Sequence, residues 1–353
     1  MARARRLELV EALRRCLRLA SEHHADLITI GGDLWEDENV VADTRRSVAH
    51  ELGKTDIPIA LVTGNHDPLL PGGNYERTPW PDNVHLFAQR TPSELRVGDV
   101  SIWGASWTGE PLSADFLSTF RTPDDDRPHL LLIHGTSRRT VHFADQCGYC
   151  PFDPGAVRSA GFALVLAGHL HSASHTDGVV YPGSPEPLAW GETGRHCCAL
   201  VEITQGFSAT VHLLDVNRRR YESITVDCAE AASSAEVSSH VTQALSGVES
   251  RAQEMSVRIR LVGRVGADCV VDGPTLERQH AGRLSDLRVE DRTERGWDLD
   301  ALARSATADG RFVAALRARI ETAGDDRERA VAALALEAGL RAMAGEAQVL
   351  NVD

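Results

Sequence analysis

The sequence predicts an α/β fold: a two-sheet β-sandwich flanked by helices, followed by a small α+β capping domain and C-terminal helices. Three observations predict it. Four short apolar runs each end in a polar, glycine-bearing cluster. The other β-rich stretches are too many for one sheet. From Asp298 onward, apolar residues recur at helical spacing.

Taken in order, residues 6 to 25 read as an amphipathic helix, with Leu9, Leu13, Leu17 and Ala20 on one stripe and arginines between them. The run Asp26 to Ile30 ends at Gly31-Gly32-Asp33, and Ile57 to Thr63 ends at Gly64-Asn65-His66-Asp67. His129 to Ile133 precedes His134-Gly135, and Phe162 to Ala167 precedes Gly168-His169-Leu170-His171. Each run has strand length and stops at turn-forming residues. Shorter β-rich stretches lie at Val84 to Ala88, Leu95 to Val97, Val100 to Gly104, Val179 to Tyr181, Ala199 to Ile203 and Ala209 to Val216. Near Gln205-Gly206 the pattern changes: Ser234 to Leu245 reads as a helix and Ser256 to Val262 alternates like a strand. Leu299, Leu302, Phe312, Leu316 and Ile320 form a helical stripe, Gly324 to Asp326 a break, and Ala330 to Ala344 a second helix. The expected domains are a core over 1–204, an α+β capping domain over 205–295 and a helical segment over 296–353.

Composition narrows the class. Of 353 residues, 42% are apolar and 25% charged, as in a folded globular chain. No stretch has the length of a membrane-spanning helix and the start lacks the apolar region of a signal peptide, so the expected location is cytoplasmic, with no membrane partner. The net charge of -14 weighs against a chain-wide electrostatic grip on nucleic acid and leaves room for a local basic groove. Lys54 is the sole lysine, so nearly all positive charge is arginine. Seven irregularly spaced cysteines do not read as a disulfide framework. Cys147 and Cys150 form a Cys-x-x-Cys, but the second ligand pair of a structural zinc is missing, and two unpaired thiols are expected.

The four polar clusters carry the chemistry. A pair of catalytic divalent metals needs oxygen and imidazole ligands from several loops, with one carboxylate able to bridge. In α/β architectures such loops converge beyond the carboxyl ends of the strands. Asp33, Asn65, His66, His134, His169 and His171 all follow predicted strands, and alternation sends His169 and His171 to the same side of the chain. A carboxylate, an amide and imidazoles suit manganese, iron or zinc better than calcium.

Gly-Asp, Gly-Asn-His-Asp, a strand-terminal His and Gly-His-x-His, in this order over residues 26 to about 190, resemble the calcineurin-like metallophosphoesterases. Tyr181-Pro182-Gly183-Ser184-Pro185-Glu186-Pro187-Leu188, together with Tyr149-Cys150-Pro151-Phe152, is similar to segments of the SbcD-type DNA repair nucleases. The resemblance implies a metallophosphoesterase sandwich holding two divalent metal ions, with manganese (Mn2+) the expected element. Asp33 would bridge the ions, Asn65, His134 and His169 would complete one ligand set, and His171 would bind the other ion. His66 would be the catalytic histidine acting on the substrate, with Asp67 behind it orienting the ring. An exonuclease or endonuclease of DNA repair, working by two-metal hydrolysis, is implied, with DNA as substrate, an SbcC-like coiled-coil ATPase as partner and a homodimer as the assembly. The family also opens with an Asp-x-His motif on its first strand, which nothing before Asp33 supplies. The expected explanation is coding sequence upstream of Met1; the alternative is loss of one metal site, leaving an impaired, DNA-associated subunit. A phosphoesterase for small nucleotides or phosphoproteins is the other enzymatic alternative, because fold and metal site do not fix substrate.

Overall fold

A computed structural model of the chain describes residues 2–110, 112–139, 149–204, 208–248 and 254–345. The chain divides into two compact units, residues 1–222 with 254–256 and residues 223–253 with 257–353.

The first unit opens with helix α1 (Ala2–Glu22), strand β1 (Ile28–Ile30), helix α2 (Ala42–Leu52), and strands β2 (Ile59–Leu61) and β3 (Val84–Leu86). These three strands form a parallel sheet in the order β1-β2-β3. Then come β4 (Ser93–Val97), β5 (Val100–Ala105), a 3-10 turn (Ala114–Ser118), β6 (His129–His134), helix α3 (Pro154–Ser159), β7 (Leu164–Gly168), β8 (Ser174–Thr176) and β9 (Val179–Tyr181). They build a six-stranded sheet in the order β4-β5-β6-β7-β9-β8, parallel from β5 through β9 with antiparallel edges. Strands β10 (Cys197–Ile203) and β11 (Ala209–Asp215) pair antiparallel.

Alternation along the strands explains why the sheets stack. Ala60 and Val62 point from the small sheet into the same core as Ile102, Leu130, Leu132, Leu164 and Val180 of the large one, padded by Ala199, Val201 and Val211. Their neighbours Ile59 and Leu61 face the other way, toward α1 and α2, where Leu13, Leu17, Val48, Leu52, Trp35 and Tyr75 close over them. On the opposite side, Leu131, Ile133 and Val165 meet Trp107, Leu117, Phe152, Val157 and Phe162. The layers run helix, sheet, sheet, helix, which is the predicted sandwich with helices on its outer faces.

Two charged networks fix α1. The Glu186 carboxylate, its side chain fully buried, receives Arg15 at 2.7 Å and the backbone N–H groups of Arg218 and Arg219 at 2.9 and 2.8 Å. Glu51 on α2 receives Arg14 and Lys54, both at 2.8 Å.

The second unit holds most of a sheet ordered β12-β13-β15, from β12 (Arg220–Asp227), β13 (Met255–Val262) and β15 (Asp286–Asp291), with helices α4 (Ser234–Ser246) and α5 (Gly273–Gln279). The two-residue strands β14 (Arg264–Val265) and β16 (Glu294–Arg295) pair in parallel. Helices α6 (Leu299–Arg304), α7 (Ala308–Glu321) and α8 (Asp326–Met343) follow, and Val313, Leu336 and Leu340 form their core with Phe312, Leu316 and Ile320. The boundary expected at 204/205 touches residues 205–207, which lie outside the described residues. The two compact units divide after residue 222; β10 and β11 pack into the sandwich core, and the C-terminal helices share a unit with the α+β elements. No helix among the described residues is long and apolar enough to cross a membrane.

Candidate metal centre

Strands β1, β2, β6 and β7 end where the two sheets converge, and glycines make the convergence possible. A side chain at Gly168 would overlap the carbonyl oxygen of Gly31, and one at Gly64 would overlap the Asp33 carboxylate. Gly32 sits at φ +90°, a region open to glycine, and Asp33 follows at φ +51°, which aspartate tolerates. His169 takes φ +97°, a conformation costly for any residue with a side chain and a mark of functional loops.

His134 lies at the centre, fully buried. Its Nδ1 is 2.7 Å from the Gly31 carbonyl oxygen, which can only accept, so Nδ1 carries a proton. Its Nε2 is 3.1 Å from Asp33 Oδ2 and 2.9 Å from Asn65 Oδ1. The indole of Trp107 donates to the His134 carbonyl at 3.0 Å and holds the strand end in place. The His169 ring stands edge-on to that of His134, centroids 5.2 Å apart, and the Tyr149 ring lies 4.8 Å from it at a tilt. Ligand atoms of Asp33, His134 and His169 all fall within 4.8 Å of one another.

Electrostatics follow the same geometry. Burial pushes the Asp33 carboxyl upward, but the bond from His134 and the charges of His134 and His66 hold it below its ordinary value. Burial, reinforced by His134, lowers His169 to about 4, so this ring is neutral near pH 7, the form that binds metals.

The remaining expected residues surround this cluster. His66 is exposed; its backbone N–H donates to Asp33 Oδ1 at 3.0 Å and its ring Nδ1 meets Glu36 Oε1 at 2.9 Å. Glu36 raises the pKa of His66. The expectation that Asp67 orients the His66 ring is corrected here. Asp67 is fully buried and turns inward, accepting from the backbone N–H groups of Asp33 at 3.0 Å, Leu34 at 2.6 Å and Gly64 at 2.7 Å, and from Tyr75 Oη at 2.6 Å. With the Trp35 N–H at 3.4 Å as a fifth, these donors in a buried loop outcompete one exposed ring. Burial pushes its carboxyl up to about 6 against these donors, which favour the charged form. His171 stands outside the three-residue cluster, with Nδ1 3.0 Å from Glu192 Oε1, and Glu192 raises its pKa.

The site gathers a carboxylate, an amide and imidazoles on residues at or just after the ends of strands β1, β2, β6 and β7. Residues 5–173 match the calcineurin-like phosphoesterase family. The matched span contains Asp33, Asn65, His134, His169 and His171 and ends before β8 to β11. The chain is also 26% identical over 308 residues to the uncharacterized metallophosphoesterase YhaO of Bacillus subtilis (strain 168), covering 80% of this chain and 74% of that protein. A match of that length extends past residue 173 into the second unit.

The donor set fits a divalent cation. Asp33 Oδ2 and Asn65 Oδ1 lie 3.1 and 2.9 Å from His134 Nε2, a nitrogen and two oxygens of the types that bind divalent metals. Asp33, Asn65, His134 and His169 could hold one ion, and Asp33 with His171 could contribute to a second. Among the described residues, Asp33, His134 and His169 are the group of histidine, cysteine and acidic side chains close enough to share a metal. Cys150 is buried, its thiol pushed up to about 12 by desolvation, and Cys147 lies outside the described residues. Sequence reasoning missed Glu36, Tyr75, Trp107 and Glu192. Glu36 sits in an unremarked acidic stretch three residues after Asp33, and the others are distant in sequence from the atoms they hold.

Proposed function

We propose that the protein is a metal-dependent phosphodiesterase of the SbcD type, hydrolysing DNA with Mn2+ and working as a homodimer with an SbcC-like coiled-coil ATPase in the cytoplasm. The observation that carries the phosphodiesterase reading is the convergence of Asp33, Asn65, His134 and His169 on one point at the strand ends. The DNA reading rests on the similarity of residues 181–188 to the SbcD segment and on the elements that follow the core. Within that segment Glu186 acts structurally, as the buried partner of Arg15.

Divalent cations bound here would polarise the phosphoryl oxygens and supply an activated water. The chain's own residues do the rest. Asp33, on the loop after β1, and His134, at the end of β6, present their ligand atoms from backbone held by close glycine contacts and hydrogen bonds. Asn65 adds a neutral oxygen, so the acidic centre does not over-repel a phosphodiester. His66, anchored by its N–H to Asp33 and oriented by Glu36, holds a proton on its exposed ring for the leaving oxygen. Glu36 therefore takes the orienting role expected of Asp67.

Incubation of linear duplex, plasmid and a small aryl phosphodiester with Mn2+, and with chelator, tests the proposal. Metal-dependent loss of linear DNA is expected. Cleavage of the small diester alone would favour the reading as an enzyme of small nucleotides, which the net charge of -14 also suits. No turnover of any substrate would favour the impaired, DNA-associated subunit. His66→Ala should lower kcat by about 10²- to 10⁴-fold with Mn2+ still bound. Full activity in that variant would overturn the assigned role of His66.

A further inference from the structure

We propose that Glu192 is a positioning residue for His171: its carboxylate fixes which ring nitrogen carries the proton and so which nitrogen is offered to a divalent cation. The proposal rests on the metal-centre reading for its consequence, but not for the contact itself. Glu192 Oε1 lies 3.0 Å from His171 Nδ1. A carboxylate only accepts, so Nδ1–H donates and the Nε2 lone pair is left for a ligand.

This contact differs from an ordinary exposed ion pair because the carboxylate is held in advance. Half of the His171 side chain is exposed, whereas that of Glu192 is 17% exposed. Its second oxygen accepts the backbone N–H of Leu188 at 3.0 Å. The buried His196 ring lies between the carbonyl oxygens of Ser184 at 2.9 Å and Glu192 at 3.2 Å, which ties both ends of the segment together. At the near end the Ser184 N–H donates to the His171 carbonyl at 3.1 Å, and Gly183, at φ +79°, permits that approach. A side chain at Gly183 would press on the same carbonyl at 2.7 Å. The segment from Gly183 to His196 therefore grips the His171 backbone at one end and its ring at the other. With the His171 ring half exposed, the pair adds little to stability, so orientation of the ring is the effect such a clamp can deliver.

Nitrogen-15 spectra of the histidine rings in the metal-free protein, at a pH where His171 is neutral, test the claim directly. His171→Ala assigns the signal. The wild-type ring should be the Nδ1–H tautomer, and Glu192→Ala should shift it toward Nε2–H. Glu192→Gln, whose amide oxygen still accepts, should restore Nδ1–H. Calorimetric titration with Mn2+ should show affinity at the His171-dependent site weakened about 10- to 100-fold in Glu192→Ala and less in Glu192→Gln. An Nε2–H tautomer in the wild type overturns the proposal even if Glu192→Ala does not fold. So do an unchanged tautomer and affinity in Glu192→Ala. Absence of any Mn2+ binding by the wild type would instead sink the metal-centre reading, and the ring spectra would still decide the role of Glu192.

Discussion

At the scale of single residues, the division of labour between the two adjacent side chains His66 and Asp67 is the main result. One is exposed and free to meet a substrate, and the other is sealed inside the loop. Removing the Asp67 carboxylate would strand four backbone donors and the Tyr75 hydroxyl. Unmet buried donors cost about 1–3 kcal/mol each before relaxation, so Asp67→Ala should lose at least about 3 kcal/mol of stability in chemical denaturation. Asp67→Asn, which keeps one acceptor oxygen, should lose less. Equal losses would show that charge rather than acceptor count is what matters. The ligand-type residues were legible in the sequence because each lies in a glycine-bearing cluster at the end of an apolar run, a local signal. Glu36, Tyr75 and Glu192 were not, because their roles arise from contacts across the fold that no spacing encodes.

At the scale of elements, burial alternation made the strands legible: Ile59 and Leu61 face the helices while Ala60 and Val62 face the second sheet. Helix α2 was harder to see, since it buries Arg45 and Glu51 alongside Val48 and Leu52. Glu51 yields a pH prediction. Arg14, with Lys54, holds its carboxyl at about 2, below the ordinary 4.5. The native state therefore binds the proton less readily than the unfolded chain. The stabilisation it provides is complete above about pH 4.5 and is lost as the pH falls through about 2. The stability difference between wild type and Glu51→Gln should be constant near neutrality and shrink as acid is added. A difference independent of pH between 2 and 7 would rule this pairing out as a source of acid sensitivity.

At the scale of the whole molecule, the chain comprises two units with their own cores, and among the described residues the candidate centre lies in the first. A ligand stabilises only the unit that binds it. Mn2+ at about 100 times its Kd should add about 2.7 kcal/mol to the first unit. Scanning calorimetry should therefore resolve two transitions, one raised by Mn2+ and returned by chelator and one indifferent to both. A metal-dependent shift of both transitions would mean that the units unfold as one. The C-terminal helices were anticipated from their apolar stripe, but their grouping with the α+β elements was not, since a stripe shows that a face is covered and not what covers it.

The inward turn of Asp67 has one more consequence, in the exchange of amide hydrogen with solvent. Loop amides ordinarily trade hydrogen for deuterium quickly, yet those of Asp33, Leu34 and Gly64 end on a carboxylate with no exposure. They should exchange as slowly as strand amides even with no metal added. That would provide three built-in reporters of whether the loop stays closed between one cation and the next.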